Sequence, residues 1–244
     1  MKITFQKPAN QKDLLFVNIN SKNKDEIVKE NGIKTLYLKC DEIDKMNLRK
    51  LYLLVRKMIV MARGIKAERT LFNLNDFKFG KIKISDEELG EIIGTQLDFA
   101  NYEFTEYKTP SEDGFSFIKE VVISGTDKKT EKAVLKGQTI AGEVNKTRSL
   151  ANTPGGDMTP SILAAKTKEA VKNLPVKVIV FGEKEMEKQN MQAILSVGRG
   201  SDEESKFIIM EYWGGPKKQK PIVLVGKGVT FDSGGINLKP SSSL

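Results

Sequence analysis

The sequence predicts an α/β protein with two sheet regions joined by a long helix. Short apolar, β-branched segments bounded by turn residues alternate with stretches whose apolar positions recur at helical spacing. A helical pattern from Asp127 to about Leu150 separates the two regions. The 244 residues, 39% of them hydrophobic, suffice for one or two cores. The expected division is a small α/β domain over 1–126, a linker helix over 127–152, and a mixed-sheet α/β region over 153–244.

Residues 2–6 and Asp13 to Ile19 read as strands, the first by alternation and the second by apolar content. Lys24 to Glu30 suggests a short helix closed by Gly32, and Ile33 to Lys39 alternates as a strand. Leu51, Tyr52, Val55, Met58, Ile59 and Ala62 share one helical face, with Gly64 where a left-handed cap belongs. Glu68 to Leu74 reads as a strand, followed by the Phe77/Phe79 and Ile82/Ile84 alternations. Ser85 and Glu88 form a capping-box pattern before a helix carrying Leu89, Ile92, Ile93 and Leu97. Tyr102, Phe104 and Tyr107 fit one face of a buried strand better than a stacking platform, and Phe115 to Ser124 reads as the last strand of this region.

Beyond the linker, Pro154, Gly155 and Gly156 cannot prolong a helix, and Thr159 caps a new one with Pro160 at its first position. Val176 to Phe181 is an expected strand, Glu183 to Leu195 a helix, and Phe207 to Trp213 another strand. Pro221 to Val225 is a continuous apolar run of the kind covered on both faces of a sheet. The short connection Gly214 to Lys220 is too brief for a parallel crossover, so these last two strands should be antiparallel. Ser196 to Ser201 offers an anion-binding turn, although Arg199 fits a structural role better.

Forty Lys and Arg against 32 Asp and Glu give a net charge of +8, a balance compatible with nucleic-acid or acidic partners. The lysines are dispersed, and Lys128-Lys129 and Lys217-Lys218 fall at expected turns or helix starts, where solvated charge is the ordinary explanation. One cysteine, Cys40, cannot form an internal disulfide and fits a small buried residue in a reducing compartment. The amino terminus lacks a signal peptide's apolar core and no run is long enough to span a membrane. A cytoplasmic protein is therefore expected.

The functional information concentrates in Pro221 to Pro240, PIVLVGKGVTFDSGGINLKP. Lys227 leaves the expected strand between Gly226 and Gly228, Asp232 precedes Ser233-Gly234-Gly235, and Lys239 follows. In open α/β sheets chemistry gathers at the carboxyl ends of strands. A phosphate-binding loop is disfavoured because Gly228 stands where GxxxxGK needs Ser or Thr. A nucleophile elbow is disfavoured because Phe231 stands where GxSxG needs glycine, and the chain has no histidine for a serine triad. Two readings stay open: a metal site with Asp232 oxygen and a deprotonated Lys227 amine, or an ion pair on a tight turn.

GKGVTFDSGGINLKPS resembles the signature of the leucyl (cytosol) aminopeptidase family, and NKTRSLANTP from Asn145, MTP from Met158 and SVGRGS from Ser196 are similar to other segments of that family in the same order. The resemblance implies a two-metal exopeptidase of two domains, using Mn²⁺ or Zn²⁺, acting on peptide amino termini and assembling as a hexamer. Position by position, Lys227 matches a metal ligand, Asp232 the carboxylate bridging both metals, and Lys239 the catalytic lysine beside the substrate carbonyl. The family pattern continues into further metal-binding aspartate and glutamate residues, beyond the segments matched here. A truncated member with little or no activity of its own is therefore expected, and a non-catalytic interaction or DNA-binding protein keeping the fold is the competing reading.

Overall fold

The computed structural model describes residues 1–5, 13–20, 24–40, 43–112, 114–216 and 218–231. It divides into two compact units, Met1–Ser149 and Leu150–Leu244.

The first unit is built on a six-stranded sheet. Its strands are β1 (Lys2–Thr4), β2 (Leu14–Asn20), β3 (Glu26–Glu30), β4 (Ile33–Lys39), β5 (Arg69–Asn73) and β6 (Glu120–Ser124), in the spatial order β1-β6-β5-β2-β4-β3. All neighbours are parallel except β3 and β4. Parallel neighbours require crossovers, supplied by helix α1 (Leu48–Gly64) between β4 and β5 and helix α2 (Asp86–Asn101) between β5 and β6. Leu15, Val17, Leu36, Leu38, Phe72, Val121 and Ile123 from the strands bury against Leu51, Val55, Met58, Ile59, Ile93 and Leu97 from the helices. Cys40 lies in this core beside Met46, 3.6 Å between the sulfurs.

Several expected elements form as read. Ser85 Oγ accepts from the Glu88 N–H at 3.1 Å and Glu88 returns the bond at 2.7 Å, completing the capping box of α2. Thr159 caps helix α4 (Pro160–Ala170) with proline at its start. Helix α3 (Lys128–Asn152) follows Gly125, whose φ of +74° and close approach to the Asn73 side chain explain the glycine.

Other expectations are corrected. Glu26–Glu30 is strand β3, not a helix: Asn31 and Gly32 take φ of 49° and 81°, the two positive values of a tight primed hairpin turn, so the chain folds back onto β4. The left-handed residue closing α1 is Lys66 (φ 56°), while Gly64 remains helical. Phe77 and Phe79 reach the core from a 3-10 turn and its exit rather than a strand, because the Asn73 side chain accepts from Asn75 N–H and starts the turn. The Ile82/Ile84 alternation likewise lies outside any strand. Tyr102 to Tyr107 is a loop: Tyr102 sits under the Arg148 guanidinium, 4.1 Å from its ring centroid, and Phe104 packs on Tyr107 at 5.8 Å. Strand β6 begins only at Glu120, since Asn101 takes both backbone groups of Ile118 and Arg63 Nε donates to Ser116 O.

Helix α3 packs tightly on α2. A Cβ on Gly94 would overlap the Val134 carbonyl, and one on Gly137 would overlap the Glu91 carbonyl. Both backbones approach because these positions carry no side chain.

In the second unit, β7 (Val176–Phe181) pairs antiparallel with β8 (Phe207–Tyr212), Phe181 opposite Phe207. The helix expected over Glu183 to Leu195 is two: α5 (Glu183–Lys188) and α6 (Gln192–Gly198), parted where Asn190 takes φ 55°. The stretch Pro221 to Val225 is not a strand and does not pair with β8, whose described partner is β7. Ile222, Val223, Leu224 and Val225 are 74–93% exposed. An apolar run forms a buried strand only where neighbouring strands accept its hydrogen bonds, and none among the described residues does.

Candidate active site

The segment carrying Lys227 belongs to the second unit and passes close to two other parts of it. Leu163 Cδ2 of α4 lies 3.7 Å from the position a Gly228 Cβ would take. Further on, Thr230 and Phe231 meet the turn after α3: a Gly155 Cβ would stand 3.0 Å from Phe231 Cβ and 3.1 Å from Thr230 O. That turn is braced by its own backbone, the N–H groups of Asp157 and Met158 both donating to Pro154 O at 2.9 Å. Met158 is buried just before the Thr159 cap of α4.

Lys227 is exposed and makes no ion pair with a described residue. Asp232 and Lys239 lie outside the described residues. Among the described residues no group of three or more His, Cys, Asp or Glu side chains could hold a metal ion. The described part of the site therefore does not fit a cation pair by itself: among the described residues Lys227 is a single amine without a carboxylate paired to it.

The Ser196 to Ser201 stretch offers no open ring of N–H donors. Arg199 N–H donates to Leu195 O at 3.1 Å and Ser201 N–H to Gly198 O at 2.9 Å, closing α6. Arg199 itself is exposed at that helix end. Of the lysines expected to be solvated, Lys128, Lys129 and Lys218 are exposed, Lys128 pairing with Glu131 at 3.0 Å, and Lys217 lies outside the described residues.

Sequence reasoning missed Gly155 as a neighbour of the Lys227 segment. Its signal was present in the adjacent pair Gly155-Gly156, which read only as a helix terminator.

Residues 145–244 match the catalytic domain of the cytosol aminopeptidase family. A "Probable cytosol aminopeptidase" of Rickettsia massiliae (strain Mtu5) is 39% identical over 164 residues, which are 66% of this chain and 33% of the relative. The fold resembles that of a tomato leucine aminopeptidase mutant, with a TM-score of 0.78 at 17% identity, covering 96% of this chain and 55% of that one. It also resembles the bottromycin maturation enzyme BotP in complex with Mn, with a TM-score of 0.76 at 21% identity, covering 95% of this chain and 51% of that one. The chain spans about a third of the length of the curated relatives it matches. On the match over residues 145–244 and the identity to these relatives, that part of the chain belongs to the cytosol aminopeptidase family.

Proposed function

We propose that this chain carries part of a metal-dependent aminopeptidase of the leucyl type, releasing amino-terminal residues from peptides. The observation that supports it best is the match of residues 145–244 to the family's catalytic domain, which includes the stretch from Lys227 to Lys239. In this reading residues 1–126 form the amino-terminal domain, 127–152 the link and 153–244 part of the catalytic domain. Lys227 and Asp232 serve as ligands of two divalent cations, Mn²⁺ or Zn²⁺, and Lys239 lies beside the scissile carbonyl, where a positive charge offsets developing negative charge. The cations would supply an activated water and a hold on the substrate's free amine. Peptides are the substrates, and the complete enzyme assembles as a homohexamer in the cytoplasm.

Lys227 and Asp232 are fewer than the three protein ligands one catalytic zinc ordinarily takes. The 244-residue polypeptide alone is therefore expected to hydrolyse leucyl anilides little or not at all. Assaying the purified chain with added Mn²⁺ or Zn²⁺ tests this. Metal-dependent turnover that Lys239→Ala abolishes would contradict the inactivity while upholding the peptidase assignment.

A further inference from the structure

We propose that Gly155 is a positioning residue for the Lys227 segment. This rests on the assignment of Lys227 to the active site, but the contact itself is independent of it. The turn that carries Gly155 is a rigid support: it is fixed on one side by the end of α3 at Asn152, on the other by the Thr159 cap of α4, and internally by two hydrogen bonds to Pro154 O. Against this support lie Thr230 and Phe231, the two residues immediately before Asp232. At Gly155 an added Cβ would meet Phe231 Cβ at 3.0 Å, Thr230 O at 3.1 Å and Phe231 Cδ2 at 3.3 Å. A side chain here requires Thr230 and Phe231 to draw back by at least a few tenths of an ångström.

The adjacent glycine gives the comparison that separates positioning from simple chain flexibility. Gly156 has nothing within 4 Å of its Cβ position, and neither glycine has a positive φ. A side chain at Gly156 points into open space, whereas one at Gly155 displaces the segment running from Lys227 toward Asp232. The approach of Thr230 and Phe231 to Gly155 fixes the far end of the stretch that begins at Lys227, and displacing that end loosens the stretch back to Lys227.

The test uses the full chain and reads the segment directly. Trypsin cleavage after Lys227 is followed in Gly155→Ala, Gly155→Val and Gly156→Val, alongside the thermal melting of each. Overpacking confined to this contact should make cleavage at Lys227 on the order of tenfold faster in Gly155→Val, less so in Gly155→Ala, and unchanged in Gly156→Val. A second measurement pairs Gly155→Cys with Phe231→Cys in a Cys40→Ser background. The separation is within reach of a disulfide after a small adjustment, so mild oxidation should cross-link them. Equal effects at both glycines, or failure of the cross-link, overturns the proposal. Failure of the peptidase assignment would appear instead in activity assays and leave both of these results unchanged.

Discussion

The carbonyl of Glu91 on α2 faces Gly137 on α3 so closely that a methyl group at Gly137 would overlap it. Gly94 stands in the same relation to the carbonyl of Val134. The two helices thus meet backbone to backbone, with Thr95 Oγ1 donating to Gly137 O at 3.3 Å across the seam.

Gly137→Ala and Gly94→Ala are therefore expected to destabilise the first unit by about 1–3 kcal/mol each, the usual range for overpacking. Gly142 on the same helix has open space at its Cβ position. Gly142→Ala should be neutral or stabilising by up to about 1 kcal/mol, from helix propensity alone. Urea unfolding of the three variants checks the contrast.

The β3–β4 hairpin depends on the positive φ of Asn31 and Gly32. Gly32→Ala should cost about 1–2 kcal/mol, since a Cβ is disfavoured in the left-handed region. The loss should appear as a lower urea midpoint with faster amide exchange across Glu26–Glu30 and Ile33–Lys39.

Glu120 lies at the edge of β6 beside Arg69, whose Nε donates to its carboxylate at 2.8 Å. That hydrogen bond, against a smaller opposing effect of burial, holds the Glu120 carboxyl below its ordinary value of 4.5. A lowered carboxylate contributes stability that is present above its unfolded value and lost as pH falls toward its folded one. Stability of the first unit should therefore decline as pH drops below 4.5, and Glu120→Gln should be less stable at neutral pH yet show a shallower acid slope. Thermal melting from pH 7 to pH 3 distinguishes the two profiles.

Much of the first unit was legible because its signals are local. Ser85 and Glu88 announce α2 through one reciprocal pair of hydrogen bonds, and the face from Leu51 to Ala62 announces α1 through spacing alone. The misreadings came where another interaction overrode the local pattern. Asn31-Gly32 is a hairpin signal that outweighs the helical look of Lys24 to Glu30, and Asn101 diverts Phe115 to Ile118 from the sheet by taking the backbone groups of Ile118. Pro221 to Val225 shows a different limit: β-branched composition states what a segment suits, while pairing depends on partners elsewhere in the chain. For the site, the motif around Lys227 stands as an expectation, while the approach of Thr230 and Phe231 to Gly155 was not legible, because it depends on tertiary packing.

The assignment of Lys227, Asp232 and Lys239 to a peptidase site is tested most directly by transplanting residues 145–244 into a complete cytosol aminopeptidase in place of the corresponding segment. Initial rates on a leucyl anilide with Mn²⁺ are then measured for the chimera and its single variants. The account predicts an active chimera, with kcat reduced about 10²-fold or more by Lys239→Ala and activity lost in Lys227→Ala and Asp232→Ala. A folded chimera whose turnover is indifferent to all three substitutions would contradict it.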